Sequence, residues 1–381
     1  MKVMYMSHRY HSNQYGIVRG WKEHGDEVLF CSQFAADGED YTEITPKVIG
    51  YSKIYLWFDN LYVNHLAKKN PAAVDLRIKC GFPPVFKLAK VIKEFQPDIV
   101  IMRERSLYSI TTNTICRLMK IPTSLYVMNP VWGEPPKQDL LHRIVRALTP
   151  KYRLTPSRII GNSYEGKVED KNAFFAPYLM EPEFSPEEKE YFQDGKINIF
   201  EIGKYQERKN HFLMLKAFKK IKEKYPNAHL YIAGDVSDKF HEEYFDRMKK
   251  FLKKEKLENS VTLYKNLKRE KVKEIYRKTD LFVIPSTGEP GAVSHLEAMA
   301  FSIPAIGGSD NGTADYIVDG ETGYIFEDND VDDLVEKMSL IIGNPEEVKR
   351  MSRNAYEHVK ENFRFEKYYK SVRKILKRYG K

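Results

Sequence analysis

Two hydrophobic periods alternate along the chain. Short apolar runs with strand character are separated by longer segments in which apolar residues recur every three or four positions. "KVMYM" (Lys2–Met6) reads as a buried strand, followed by a polar loop and a helix ending at "EHG", where Gly25 is a natural stop. "EVLFCS" is the next strand, "FKLAKVIKEF" a helix and "IVIM" a strand. A helix then runs through Met119, followed by strands at "IPTSLYVM" and "RIIGNS". A second series begins near Ile197. "INIFEIG", "AHLYIAG", "VTLY", "DLFVIPS" and "IPAIGGS" read as strands, and "NHFLMLKAFKKIKEKYP", "KVKEIYRKT" and "VDDLVEKMSLIIG" as helices. "STGEPGAVSHLEAMA" (Ser286–Ala300) supplies a further helix, which Pro290 is expected to open at its first position. Such β/α alternation predicts an α/β fold of open parallel sheets with helices on both faces.

The regularity breaks once. Ala176–Lys196 carries three prolines, many acids and little periodicity, and reads as a link between domains. The length of 381 residues fits two domains. The expected architecture is two doubly wound Rossmann-like domains facing a central cleft, since ligands of such sheets bind beyond the carboxyl ends of the strands.

Composition narrows the class. The hydrophobic fraction is 42% and the charged fraction 30%, as in a soluble globular protein. Cys31, Cys80 and Cys116 are far apart, and no His/Cys cluster has metal-ligand spacing, so no metal site is expected. The start carries no apolar stretch of signal-peptide length, and no window approaches a membrane span. The expected location is the cytoplasm. The net charge of +9 is uneven. The tail Phe363–Lys381 holds eight Lys/Arg and one Glu, and Lys137–Arg158 is a second basic stretch. Both show apolar residues at helical spacing: Leu140, Leu141, Ile144, Val145 and Leu148 in one, Tyr368, Tyr369, Val372, Ile375, Leu376 and Tyr379 in the other. Two readings stand. Each is a core-facing stripe with a solvated basic back, or each is a surface for anionic lipid, which would place the protein peripherally on the inner face of the membrane. Nothing resembles a base-reading module, so no nucleic-acid partner is expected.

Candidate chemistry concentrates in the second half. The chain has no G-x-G-x-x-G after a first strand, no G-x-x-x-x-G-K-[ST] and no G-x-S-x-G, which argues against a dinucleotide dehydrogenase, a P-loop enzyme and an α/β-hydrolase. "EDNDVDDL" precedes an apolar helical run and reads as helix capping. Glu289 and Glu297 lie eight positions apart, and on one helix would share nearly the same face. Gly291 and Ala292 leave first-turn amides open to a phosphate. A carboxylate on either side of a phosphate suits two diols, the outline of a nucleotide sugar. "EIGKYQERKNH" places Gly203, Lys204 and Lys209 on the loop after the first strand of the second domain, where two cations can neutralise a diphosphate.

These motifs together resemble the retaining GT-B glycosyltransferases of family 4. The resemblance rests on Lys204…Lys209, "YPNAHLYIAGD", "IYRKTDLFVIPS", Glu289…Glu297, "LEAMAFSIPAIGG" and "IVDGETGYIF", and is nearly continuous from about Ile197 to Phe326. In the first domain it rests on "FQPDIVIM", "PSRIIGNS" and "AFFAPYLMEPEFSP". It implies a first domain over 1–180 and a nucleotide-sugar-binding domain over 181–362, with the tail helix 363–381 crossing back onto the first. It implies a metal-independent hexosyltransferase that retains anomeric configuration. Such an enzyme takes a UDP-, GDP- or ADP-sugar as donor, needs no cofactor, and serves glycan or lipid-linked acceptors in surface polysaccharide or glycolipid assembly. By the same resemblance Lys204 and Lys209 bind the pyrophosphate and Glu289 the donor sugar. The amides from Gly291 to Val293 touch phosphate, Glu297 takes the ribose, and the base lies near "YKNLK", which contains Asn266.

The chain departs from the family in places. The loop after the first strand, "SHRYHSNQYG", lacks a Gly-Gly pair and offers His8, Arg9 and His11 to phosphate or acceptor instead. Where the family often has a histidine ending the strand of "IPTSLYVMNP", this chain has Met128 and Asn129, and Asn129 can still bond a sugar hydroxyl. The usual glutamate before "DYIVDG" appears as Ala314 or Asp315, and Gly291 replaces an apolar residue. "KIYLWFDNLYVNHLAKK" (Lys53–Lys69) is either an acceptor-docking segment or a helix with a buried aromatic face. Two other functions stay open: a nucleotide-sugar epimerase, and a GT-B scaffold that binds without transferring.

Overall fold

The computed structural model describes residues 1–11, 14–35, 39–65, 80–161 and 163–381. The chain divides into two compact units. The first comprises Met1–Pro156, Lys167–Leu179 and Phe365–Lys381, and the second Ser157–Gly166 and Met180–Arg364.

The first unit is built on a seven-stranded parallel sheet. Its strands are β1 (Lys2–Ser7), β2 (Glu27–Ser32), β3 (Lys47–Val48), β4 (Ile99–Arg103), β5 (Thr123–Tyr126), β7 (Tyr152–Thr155) and β9 (Ala173–Phe175), in the order β3-β2-β1-β4-β5-β7-β9. A short antiparallel pair, β6 (Trp132–Gly133) and β8 (Val168–Glu169), lies apart. On one face Ile17, Val18 and Trp21 of the Tyr15–Glu23 helix pack with Tyr368, Val372, Ile375 and Leu376 of the Phe365–Arg378 helix. Burying two tyrosines and a tryptophan there requires partners for their polar ends. Trp21 Nε1 donates to Tyr5 Oη at 2.7 Å, and Tyr5 Oη meets Tyr368 Oη at 3.0 Å. Gly20 admits the Phe365 ring so closely that a Cβ would sit 2.3 Å from its Cδ2. The opposite face buries Leu88, Val91 and Ile92 of Val85–Phe95 and Tyr108, Ile115 and Cys116 of Leu107–Leu118.

One expected strand is not there. Of "RIIGNS", residues 158–161 form bends and a single bridge rather than a sheet strand, and the place beside β5 is taken by "YRLT", Tyr152–Thr155. Pro156 follows β7 directly, and Gly161 takes φ +85°, which breaks an extended run. Arg153 hid this strand, because a buried arginine reads as polar. Its guanidinium is satisfied by Asp170 at 2.8 Å and by the carbonyls of Asn129 and Pro130 at 2.5 and 2.7 Å. The two basic stretches also part ways. The tail buries its stripe, whereas no residue of the Leu140–Leu148 helix is buried. In Lys53–His65, Ile54, Leu56, Trp57, Phe58 and Leu61 are exposed, so these aromatics form no buried face; residues 66–69 of that segment lie outside the described set.

The second unit carries a six-stranded parallel sheet. Its strands are β10 (Ile197–Ile202), β11 (Ala228–Gly234), β12 (Val261–Lys265), β13 (Leu281–Ile284), β14 (Ala305–Gly308) and β15 (Gly323–Phe326), in the order β12-β11-β10-β13-β14-β15. Asp330 caps the Val331–Ile342 helix, accepting from the amides of Asp332 and Asp333 at 2.9 and 3.0 Å. Two helices that the apolar pattern did not announce, Lys239–Glu255 and Pro345–Asn362, are heavily charged and bury one narrow stripe each.

The irregular segment after Leu179 is not a loose link. Glu183 and Phe184 donate backbone N–H groups to the Ala300 carbonyl, and Ser302 Oγ donates to the Phe184 carbonyl at 2.6 Å. Lys189 is buried, with the carbonyls of Tyr276, Arg277 and Phe301 at 3.4–3.5 Å. Burial lowers its ammonium to about 7 against the pull of Asp280, whose own carboxyl burial raises. The two Asp280 oxygens accept from the amides of Phe192 and Asn198 at 2.9 and 2.8 Å. Removing the Asp280 carboxylate leaves two backbone amides without their acceptor and the buried Lys189 without the nearby charge that offsets it, although the two side chains are not in contact. Asp280→Ala is therefore expected to destabilise the second unit by about 3–5 kcal/mol. Adding Lys189→Met should recover part of the loss. Urea unfolding of the two variants checks this; an unchanged midpoint for Asp280→Ala refutes it.

Candidate functional site

The site is built where β10 and β13 end side by side. After β10 the chain turns through Gly203–Tyr205 into a single helical turn, Glu207–Lys209, before the His211–Lys224 helix. Gly234, at the end of β11, is required by close approach, since a Cβ there would lie 2.2 Å from the Gly203 carbonyl. Gly203 in turn lies under the Lys209 side chain, 3.0 Å from Cδ to a built Cβ. The loop after β13 docks onto the loop after β10, because Thr287 N–H donates to the Arg208 carbonyl at 3.0 Å.

Glu289 occupies the junction. Its side chain is nearly buried, and its Oε2 accepts from both Lys209 Nζ and Arg208 Nη1, each at 2.5 Å. Burial alone would raise its carboxyl. The charges and hydrogen bonds of Lys209 and Arg208 outweigh that, and hold it below the ordinary glutamate value. Arg208 was not among the residues singled out from the sequence. Its adjacency to Lys209 in "ERK" was the available signal. Lys204 is exposed on the same loop.

Pro290 does not open a helix. The helix begins at Ser294, and Glu289 lies outside it in an isolated β-bridge with Asn311. Glu289 N–H donates to the Asp310 carbonyl at 3.3 Å, Gly312 N–H to the Glu289 carbonyl at 2.8 Å, and Thr313 Oγ1 to the Ala292 carbonyl at 2.9 Å. Gly312 permits this strap, since a Cβ would sit 2.2 Å from the Pro290 carbonyl. The strap holds residues 289–292 outside the helix, so the eight-residue spacing of Glu289 and Glu297 is not two turns of one helix. Gly291 and Val293 are half-buried and Ala292 is buried, just ahead of Ser294. His295 anchors the helix start from below: Nε2 meets the Thr313 carbonyl at 3.0 Å, and burial lowers the imidazole to about 4, leaving it neutral.

Beneath the β10 loop lies a buried pair. His211 Nδ1 is 2.5 Å from Glu201 Oε1, and His211 Nε2 is 3.0 Å from the Lys204 carbonyl. Both side chains are essentially inaccessible. Glu201 thus fixes the imidazole ring so that its other nitrogen lies against the Lys204 backbone.

Glu297 stands in a separate setting. Oε1 is 3.4 Å from Arg269 Nη1, and Tyr276 Oη donates to Oε2 at 3.4 Å. Burial raises its carboxyl, with Arg269 and Tyr276 opposing. A recess of about 100 Å³ opens nearby, lined by Gly203, Lys204, Gly234, Asp235, Leu267 and Val272 among others, and Val272 also borders the hollow at Glu297. Asn266 adopts φ +50° and spends its amide on Val236, accepting from its N–H at 2.7 Å and donating to its carbonyl at 3.1 Å. Asp315 pairs with Arg158 at 2.9 Å.

The remaining candidates lie in the first unit, after β1 and β5. His8 Nδ1 lies 4.0 Å from Glu104, Arg9 3.7 Å from Glu39, and His11 4.0 Å from Glu39. Burial lowers both histidines, with the neighbouring glutamates opposing. Asn129 is exposed, and its carbonyl is held by Arg153.

Residues 185–358 match the family described as glycosyl transferases group 1. A similar protein is an uncharacterised glycosyltransferase of Methanocaldococcus jannaschii, 26% identical over 262 residues, which are 62% of this chain and 61% of that protein. The chain thus spans less than two thirds of that relative. Among solved structures, a glycosyltransferase from Rickettsia africae superposes with a TM-score of 0.74 at 15% identity, covering 100% of this chain and 98% of that one. Anabaena HepE in complex with UDP-glucose superposes with a TM-score of 0.69 at 11% identity, covering 98% and 99%. The fold is that of the GT-B proteins, with two Rossmann-like sheets, and residues 185–358 of the second unit are similar to the group 1 glycosyl transferases.

Proposed function

We propose that this chain is a retaining, metal-independent glycosyltransferase that moves a hexose from a nucleotide-diphosphate sugar to a glycan or lipid-linked acceptor. The observation that carries the reading is the convergence of Lys209 and Arg208 on Glu289 Oε2. A diphosphate and Glu289 draw on the same cations. When a donor's phosphates engage Lys209, Lys204 and Arg208, Glu289 has lone pairs to accept from the sugar hydroxyls. Side-chain cations then do what a divalent ion would otherwise do, neutralising the leaving diphosphate. The acceptor oxygen forms a bond to the anomeric carbon on the face from which the phosphate oxygen departs. The acceptor proton passes to a donor phosphate oxygen. The position of Glu297, close to the recess next to Gly203 and Lys204, suits a ribose diol. Similarity to HepE, solved with UDP-glucose, supports a UDP-sugar as the first donor to try. The protein would work at the cytosolic face of a membrane, in assembling surface polysaccharide or glycolipid. Among the described residues no helix is long and apolar enough to cross a membrane.

The test is incubation with UDP-, GDP- and ADP-sugars, scored for slow donor hydrolysis and, with acceptor, for the anomeric configuration of the product. No turnover and no binding of any donor refutes the reading. Glu289→Gln should lower kcat by about 10²-fold or more through loss of sugar positioning. Its donor KM should not rise, since the cations are freed for the diphosphate. Full activity in this variant refutes the assignment.

A pH dependence follows from Glu297. Its raised carboxyl becomes protonated at pH values where an ordinary glutamate is still ionised. A protonated group is a poorer acceptor for ribose hydroxyls. The donor KM is therefore expected to climb as pH falls, starting above the usual glutamate range. Glu289, shifted the other way, stays ionised through that window. Glu297→Gln should flatten the climb and leave KM high throughout; a climb that persists in the variant assigns it elsewhere.

A further inference from the structure

The Leu140–Leu148 helix of the first unit is amphipathic, yet its apolar stripe is not used for folding. Leu140, Leu141, Ile144 and Leu148 are 70%, 68%, 47% and 42% exposed. The helix is held by polar contacts at its ends instead. Asp139 caps it, Asn113 Nδ2 donates to the Leu148 carbonyl at 2.8 Å, and Arg117 Nη1 donates to the Ala147 carbonyl at 2.8 Å. A helix normally gains most of its stability by burying such a stripe. This one is fixed in place with the stripe turned outward. The surrounding segment 137–151 carries four Lys/Arg and a single acid, Asp139.

We infer that this helix is a docking face for an anionic lipid bilayer. Outward leucines and isoleucine flanked by cations are what an interfacial helix requires, lying in the plane of the headgroups. Charge complementarity selects the occupant. A second copy of the same face would bring the Arg143 side chains of both copies together, whereas anionic headgroups neutralise them. The inference deepens the proposed function by naming the surface that would meet a membrane holding a lipid-linked acceptor. It rests on that reading only for its purpose, because lipid binding involves none of the donor-site residues.

The full-length protein is sedimented with phosphatidylcholine vesicles, with and without phosphatidylglycerol. Binding is expected to the anionic vesicles, and to weaken as salt rises. The Leu140→Glu/Ile144→Glu variant should lose at least tenfold in affinity, with an unchanged thermal melt. Arg143→Glu keeps the stripe and reverses one charge, and should weaken binding about fivefold or more. Donor hydrolysis measured in solution should be unaffected in all of them, which separates failure of this inference from failure of the donor assignment. Absent binding by the wild type, equal binding to neutral vesicles, or unchanged binding by both variants overturns the inference. So does a dimer that the double variant converts to monomer without any lipid binding.

Discussion

The second unit depends on one shared carboxylate oxygen. Glu289 Oε2 holds Arg208 and Lys209 at the same distance, and through them joins the loop after β10 to the loop after β13. A nearly buried glutamate is costly to ionise, and a pair of adjacent cations on one loop repel each other. Each cost is relieved by the other group. The backbone supports the arrangement from both sides: Thr287 bonds the Arg208 carbonyl, and the 310–313 strap fixes Glu289. Without Gly312 the strap could not close on Pro290, and without Gly234 the β10 loop could not lie where it does.

The fold was largely legible, because parallel strands buried on both faces are near-continuous apolar runs. β1, β2, β4, β10, β11 and β13 all read that way. The misreading at "RIIGNS" has a physical cause. A strand carrying a buried arginine, Tyr152–Thr155, looks less like a strand than an apolar loop segment does. The charged helices Lys239–Glu255 and Pro345–Asn362 were hidden for a related reason, since one narrow buried stripe leaves little hydrophobic signal in a lysine-rich sequence.

The site was legible as a set of residues and not as a geometry. Lys204, Lys209, Glu289 and Glu297 were all singled out, but the spacing of the two glutamates was read as a helix face. Local chemistry favoured that reading, since Pro-Gly-Ala before an apolar run resembles a helix start. What overrode it is non-local. The bonds from Asp310, Gly312 and Thr313 come from a different strand end, and spacing within "STGEPGAVSHLEAMA" carries no trace of them. Arg208 and the Glu201–His211 pair were missed likewise, since each acquires meaning only from a partner brought by the fold.

Separating the two glutamates changes what each can do. On a single helix face they would have been two similar acceptors. In the structure Glu289 is kept ionised by two cations, while burial pushes Glu297 toward its protonated form beside Arg269 and Tyr276. On the proposed donor reading a diphosphate would be drawn to the cations that Glu289 holds, and its affinity there would be set by competition with a carboxylate. At Glu297 a neutral diol would compete only with the longer contacts from Arg269 and Tyr276, and the carboxyl's own proton would be the further control. The two ends of one elongated ligand would thus be governed by different physics: ion-pair exchange at the reacting end and titration at the other. That division follows from the strap, because it keeps residues 289–292 out of the helix that begins at Ser294 and sets Glu289 on Arg208 and Lys209.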